Sequence, residues 1–395
     1  MAKRSFFVEQ VRETQQRIDT VMVAIVFTLV VVGLGMLWSA SWYRAEQLYG
    51  QPLRFFLRQL LWVSVGIAMM GIAGFVPVGL LRRVLPGLVL ATVILSLLTF
   101  VPGVSARYMG GRRWIILFNV SFQPSELMKL TMVLYLAHIL SRPQGDFSRP
   151  VQSLGPPAFI TLLFAGIVLA QNDFSTAVFL VLIALTVLFA AGVPMSYFAK
   201  MFALFVPFAL ITVFTREHRV RRIIAFLNPD HDPTGGGYQI LAARRALEGG
   251  GFWGAGIGRS VRKLGGLPEV QSDFLFAVLG EELGFFGVAL VVGLFLAFAI
   301  RGLQLAQRQD DWFRSLLVFG VTASVTLQSF LNIAVVAGAV PATGIPLPFF
   351  SSGGSSLLVT FTMVGLLLNA AGSGERAHRR RFYTVDGRSW EGHRV

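Results

Sequence analysis

Cysteine is absent from the 395 residues, which removes disulfides, thiol chemistry and cysteine-held zinc. Charge is scarce as well. Asp, Glu, Lys and Arg make up 14% of the chain, against about 25% in a soluble domain. A phosphate-binding glycine loop of the G-x-x-x-x-G-K-[ST] type is missing, so ATP does not power the protein directly. The five histidines, His138, His218, His231, His378 and His393, show no metal-ligand spacing. His231 lies between Asp230 and Asp232, but Pro229 and Pro233 mark that run as a turn. What abounds is apolar: 54% of residues are hydrophobic, and the mean hydropathy is +0.67. Most of such a chain belongs in lipid.

A helix that crosses a membrane takes about 20 mostly apolar residues. Such runs fall near 20–42, 59–76, 84–102, 124–140, 157–172, 174–191, 196–214, 273–300, 313–340 and 353–372. The expected fold is therefore all-α, a polytopic membrane protein of about ten transmembrane helices. The first run follows Lys3, Arg4, Arg12 and Arg17 and exceeds the apolar core of about 7–15 residues in a signal peptide. It reads as a retained helix. An even number of spans puts both termini on one side. Cytoplasmic termini place Arg82, Arg83, Arg142, Arg149, Lys200, Arg301, Arg308 and Arg314 inside, with the basic residues of both ends. The short outer loops then hold only Arg44, Arg54, Arg58, Arg107, Arg112 and Arg113, as the positive-inside bias requires.

Three segments follow: a cytoplasmic stretch 1–19, a transmembrane domain 20–372, and a basic cytoplasmic tail 373–395 beside the anionic inner leaflet. A long extracytoplasmic loop, 215–272, joins helices 7 and 8. Within it, Tyr238 to Glu248 suits a short amphipathic helix lying on the surface, between two glycine-rich turns. The net charge of +14 serves topology and anionic lipid or substrate. No basic run is interleaved with aromatics, so nucleic acid is not an expected partner.

Several residues could carry chemistry. Asp273 opens an apolar helix after a polar loop. A carboxylate there loses hydration and becomes a better base, while a helix-capping aspartate is the equally weighted plain reading. Glu281 and Glu282 lie two turns deeper, where an acid costs about 2.5–3.5 kcal/mol on insertion scales. Neighbours on a helix point about 100° apart, so at most one of the two should face a cavity. Gly280 and Gly284 around them suit close helix packing. Gln123-Pro124-Ser125-Glu126 opens another helix, with Lys129 three residues beyond Glu126, in reach of an ion pair. Arg112, Arg113 and Trp114 could hold a phosphate or simply anchor the chain at the interface. Asp173, in Gln171-Asn172-Asp173-Phe174-Ser175-Thr176, reads alone as a turn residue.

Taken together, these stretches resemble the SEDS family, the shape, elongation, division and sporulation proteins. The matching pieces are Gly111-Arg112-Arg113-Trp114, Phe122-Gln123-Pro124-Ser125-Glu126 with Lys129, and Arg221-Arg222-Ile223-Ile224-Ala225-Phe226-Leu227-Asn228-Pro229. Gly237-Tyr238-Gln239, Leu267-Pro268-Glu269-Val270-Gln271-Ser272-Asp273-Phe274 and Gly280-Glu281-Glu282-Leu283-Gly284 follow in family order. The last is Leu347-Pro348-Phe349-Phe350-Ser351-Ser352-Gly353-Gly354-Ser355-Ser356. The chain departs where the family usually has Pro-Asp-x-Gly-Thr and it has Asn172-Asp173-Phe174-Ser175-Thr176. The double arginine and the Leu267-Pro268-Glu269 run look more like the division (FtsW) branch than the elongation (RodA) branch.

The resemblance implies a peptidoglycan glycosyltransferase that polymerises lipid II at the outer face of the bacterial plasma membrane, at the division septum. It implies a class B penicillin-binding protein as crosslinking partner, and other division proteins around it. Lipid II flipping, or the elongation role, are the alternatives. For that reaction Asp273, at the lipid–water boundary beneath a polar loop, is the expected catalytic base. Arg112, Arg113, Trp114, Glu126, Lys129, Arg221, Arg222 and Ser355 contact substrate. Gln123, Pro124, Ser125, Asp173, Glu281 and Pro348 shape the cavity. A divalent cation, Mg or Mn, near Asp273 is left open.

Overall fold

The computed structural model describes residues 18–108, 111–117, 120–142, 150–231, 235–260 and 273–386, with backbone alone from 373 on. Residues 1–17, Arg149, Asp232, the 267–272 part of the family-like motif and the tail beyond 386 lie outside the described residues. So does the side chain of Arg112.

Ten helices stand where ten spans are expected. They are α1 (Thr20–Tyr49), α2 (Arg54–Phe75), α3 (Val78–Leu98), α4 (Pro124–Leu140), α5 (Pro150–Ala170), α6 (Phe174–Ala190) and α7 (Met195–Phe214). After the long loop come α10 (Leu275–Gln307), α11 (Trp312–Val336) and α12 (Gly354–Asp386). Eight are long and apolar enough to cross a membrane, and α4 and α6 have 17 residues each. The helices α2, α3 and α5 begin about six residues earlier than hydropathy suggests. Arg54, Arg58, Arg82 and Arg83 extend from first turns rather than loops, because a long side chain can bury its stem and keep its charge in water. Likewise α5 accommodates Pro156 and Pro157 within its own first turns.

The long loop is more ordered than its composition suggests. It holds α8 (Glu217–Leu227), a 3-10 turn (Pro229–His231) and α9 (Gly236–Gly250). The expected surface helix exists as α9, but it does not lie on a surface. Ile240, Ala242, Ala243 and Ala246 are buried against α10. The stretch 105–122, read as a loop, forms a small antiparallel sheet of β1 (Ser105–Tyr108), β2 (Gly111–Leu117) and β3 (Val120–Phe122).

In the core, α12 is the most enclosed span and α7 the least, with 83% and 6% of their apolar windows buried. Small residues let α12 approach α2 closely: Gly66 faces the Phe361 ring and Gly365 faces the Met70 carbonyl. Facing α1, the segment before α12 dives into the bundle, with Phe349 and Phe350 buried against Gly33, in the middle of that helix.

Between Gly280 and Gly284 the packing is closer still, and α10 breaks. Gly284 has φ 63° and ψ −159°, a conformation close to exclusive to glycine. The opened turn is closed by the chain after α9. Ala255 N–H donates to Glu281 O (2.9 Å), Gly256 N–H to Glu282 O (3.0 Å) and Phe285 N–H to Gly251 O (2.9 Å). A backbone in lipid must satisfy its polar groups internally, and this interlock does so. Gly284→Ala is expected to cost about 1–3 kcal/mol from backbone strain, and its methyl would also meet Gly254 N at 2.4 Å. Gly293→Ala, in open helix of the same span, should be neutral or mildly stabilising. Thermal unfolding in detergent, followed by tryptophan fluorescence, checks the pair.

Candidate functional site

At the end of the bundle where α4 and α6 begin and α7 and α11 end, a cavity of about 620 Å³ opens. Its charged wall carries Arg113 from β2, Asp173 before α6, and Arg216, His218, Arg219 and Arg222 on or beside α8. Its apolar wall is Val178, Phe179, Leu182 and Val213, from α6 and α7. The segment Val340, Pro341, Ala342 and Thr343 closes a third side.

Asp173 organises the entrance. Its Oδ1 accepts from Thr176 N–H (3.2 Å) and so caps α6. Its Oδ2 accepts from Arg113 Nη1 (3.1 Å) and Gln123 Nε2 (3.4 Å). The turn residue is thus also an ion-pair partner, 4% exposed. Asn172 before it sits at φ 64°. Proline, which the family usually has here, is locked near −65° and could not make this turn.

Residues on α8 divide by face. Arg221 is exposed and pairs with Glu217 (2.6 Å), away from the cavity, whereas Arg222 lines it. Arg222 is exposed at the cavity, yet partial loss of hydration among the surrounding groups, then Arg113, lower its pKa, while Asp173 and Asp273 oppose them. The guanidinium remains charged at neutral pH. His218 is exposed by surface area, but partial desolvation, then Arg219, Arg222, Arg216 and Arg113, push it below the usual imidazole range. His218 is therefore neutral at pH 7. Arg216, His218 and Arg219 are cavity residues that sequence reasoning missed. Arg216, Arg219 and Arg222 recur at intervals of three, a one-face spacing that could have revealed them.

Asp273 is partly buried, just before α10. It does not cap that helix: Phe274 occupies the cap position, and no side chain caps it. Asp273 is not among the residues lining the main cavity. Its Oδ2 is 3.7 Å from where a side chain at Gly344 would begin, and its charge acts on Arg222.

A smaller recess shares Phe179 with the main cavity and is lined by Gln123, Glu126, Lys129, Thr176, Gly344, Ile345 and Pro346. There Lys129 Nζ sits 2.7 Å from Glu126 Oε2 and donates to Gln328 Oε1 at 2.7 Å, above the Phe179 ring. Both ions are buried. Ser355 is buried and accepts from Gln123 N–H (3.4 Å). Pro124 and Ser125 are buried in the first turn of α4, and Pro348 is buried beside Phe349. Trp114 lies in β2 opposite Ala106 and does not line the cavity.

Glu281 and Glu282 are both buried, and they converge. Ser260 Oγ donates to Glu281 Oε2 (2.5 Å), and Ser260 N–H reaches Glu282 Oε1 (3.4 Å). Ser39 Oγ on α1 donates to Glu282. One residue of the folded-back 251–260 segment meets both carboxylates, which the helical angle between them did not anticipate.

The donors present do not fit a divalent ion held by protein alone. Among the described residues no three carboxylates or histidines cluster, and Asp173 is paired with Arg113. Magnesium sites are typically built from one or two carboxylates completed by substrate phosphates.

The profile of the FtsW, RodA and SpoVE family, described as cell cycle proteins, matches residues 19–375. The chain belongs to this family. It is 38% identical to a probable peptidoglycan glycosyltransferase FtsW from a Geobacter species, over 89% of this chain and 96% of that protein. It is 35% identical over 353 residues to the stage V sporulation protein E of Bacillus subtilis. Among solved structures, one of a peptidoglycan synthase complex that coordinates polymerization and crosslinking superposes with TM-score 0.75. It shares 27% identity, covering 91% of this chain and 99% of that one. RodA of Thermus thermophilus gives 0.64 at 26% identity, over 90% and 96% of the two chains. This FtsW/RodA/SpoVE chain is thus a multi-pass membrane protein with the family's fold.

The buried Glu126–Lys129 pair yields a stability test. Removing one partner strands the other charge and is expected to cost about 3–5 kcal/mol. Glu126→Gln combined with Lys129→Met should cost less than either single change. Unfolding midpoints of the three variants in detergent check this.

Proposed function

We propose that the chain is a peptidoglycan glycosyltransferase of the division type, polymerising lipid II into β-1,4 glycan at the outer face of the plasma membrane. One observation carries this reading. A carboxylate, Asp273, lies beside Gly344 of the recess that adjoins the cavity and acts on Arg222, and the cavity has one wall of four arginines and a histidine and another of apolar side chains. That pairing matches a lipid pyrophosphate: anion on one side, prenyl chain on the other. The relatives named for glycosyltransferase activity support the same reaction.

The chemistry follows from the linkage change. The donor sugar is α-linked to pyrophosphate and the product is β-linked, so one displacement inverts the centre. The acceptor 4-hydroxyl attacks the anomeric carbon as the carbon–oxygen bond to pyrophosphate breaks. Asp273 takes the hydroxyl proton. The departing polyprenyl pyrophosphate carries the electron pair, and Arg113, Arg219 and Arg222 stabilise it. Cleaving the pyrophosphate ester supplies the driving force. Lys129, paired with Glu126 and bonded to Gln328, orders the recess beside the cavity.

The site opens on the side opposite the Arg82–Asp311 and Arg301–Asp19 pairs. With those basic ends inside, both termini are cytoplasmic and the cavity faces outward, where lipid II is consumed. A class B penicillin-binding protein is the proposed partner at the septum, in keeping with the polymerising and crosslinking complex that the fold resembles.

Asp273→Asn is expected to abolish glycan formation from purified lipid II while the protein still inserts and folds. Gel analysis of product length checks it, and wild-type polymer in that variant would reject the base assignment. Arg222→Ala should weaken lipid II use about tenfold or more, as for loss of a charge-assisted contact. Arg221→Ala, on the far face of α8, should leave it unchanged. Lipid II titrations of the two variants make the comparison.

A further inference from the structure

One turn apart on α11, two buried amides each do the same unusual thing. Asn332 Nδ2 donates to Asp273 O (3.1 Å) and to Ile345 O (2.9 Å). Gln328 Nε2 donates to Pro346 O (2.8 Å), while its Oε1 accepts from Lys129 Nζ. Each amide therefore ties a charged residue of the site to the same strip of chain, 345–346. That strip continues from the wall segment Val340 to Thr343 of the main cavity. Arg244 on α9 pins the other end of the wall at Gly338 O (3.1 Å).

Asn332 spends both amide hydrogens on carbonyls of two different segments. Its own oxygen is buried and has no hydrogen-bond partner among the described residues. Turning the amide over would set that oxygen against two carbonyl oxygens, so the chemistry fixes its orientation. A buried acceptor left unmade is costly; here the arrangement gives up that acceptor to keep two donors. Gly344 immediately precedes Ile345, at φ 72°, and a side chain there would begin 3.7 Å from Asp273 Oδ2. The clamp thus holds a residue without a side chain beside the carboxylate.

We infer that Asn332 is a positioning residue for the reaction: its amide locks the Asp273 carbonyl to the Ile345 carbonyl and so sets the Asp273 carboxylate beside Gly344. Gln328 ties the Lys129 ammonium to the Pro346 carbonyl of the same strip. The inference rests on Asp273 being the base. Geometry of this kind governs turnover more than binding, because the acceptor hydroxyl must meet the carboxylate in line with the donor carbon. A displacement of about 1 Å is worth up to about 100-fold in rate.

The test uses the full-length protein with purified lipid II. Asn332→Ala removes both donors without adding charge, and Asn332→His keeps a single ring N–H. For Asn332→Ala the expected result is a fall in kcat of about 10- to 100-fold per folded molecule, with KM for lipid II unchanged. Asn332→His should recover part of the loss. Wild-type kcat in folded Asn332→Ala would overturn the inference. A lower melting temperature with intact turnover in the folded fraction would overturn it too, since a merely structural amide behaves that way. Failure of both variants to fold assigns the amide to folding and counts equally against it. Asp273→Asn is measured alongside: if it retains wild-type turnover, the base reading itself falls, whatever Asn332 does.

Discussion

A charge inside this bundle has to be answered by another charge or by a clamp of hydrogen bonds. The Arg113–Asp173 and Lys129–Glu126 pairs meet that demand at the head of α4 and α6. Both draw on partners from distant parts of the chain. Gln123 reaches Asp173, and Gln328 reaches Lys129, so β2, α4, α6 and α11 are drawn to one point. The cavity is what remains between them. Its surplus of positive charge is tolerated because it opens to solvent and to an anionic substrate, whereas the enclosed ions beneath are paired.

The second constraint concerns the backbone. Two spans are interrupted: α10 breaks at Gly284, and α12 begins only after a segment that enters the core near Gly33. Irregular chain at such depth survives only when every exposed carbonyl and N–H finds a partner in protein. The 251–256 segment supplies them for α10, and the side-chain amides of α11 supply them for the strip before α12. Polar side chains of α11 therefore serve both the fold and the site. Asn332 is visible in the sequence as one polar letter in an apolar run. Its two carbonyl partners are main-chain atoms and carry no sequence signal at all.

Much of the architecture was legible because lipid imposes a simple rule on composition. The ten helices stand near the ten apolar runs, and the Glu126–Lys129 pair follows from its spacing alone. Boundaries slipped where arginine or proline sits within the first two turns, as at Arg82 and Pro156. The sheet 105–122 was missed because its strands are short and alternate weakly. The α9 helix was located but given the wrong environment. Its alanines can face lipid headgroups or a neighbouring helix equally well, and Gly250 against Gly280 decides for the helix. Asp173 looked like a turn residue because its ion-pair partner lies 60 positions away.

Sequence alone determined that the chain crosses the membrane many times, which acids and bases it carries into that environment, and which family it resembles. Those follow from local composition and spacing, where hydropathy and helical periodicity act over one or two turns. Tertiary structure alone decided which face of α8 meets the cavity, why Arg222 and not Arg221 belongs to it, and how Glu281 and Glu282 come to share Ser260. It also decided that Asp273 stands beside Gly344 instead of capping its helix. Each of those outcomes depends on segments far apart in the chain being held within hydrogen-bond distance, and no local pattern encodes such a distance.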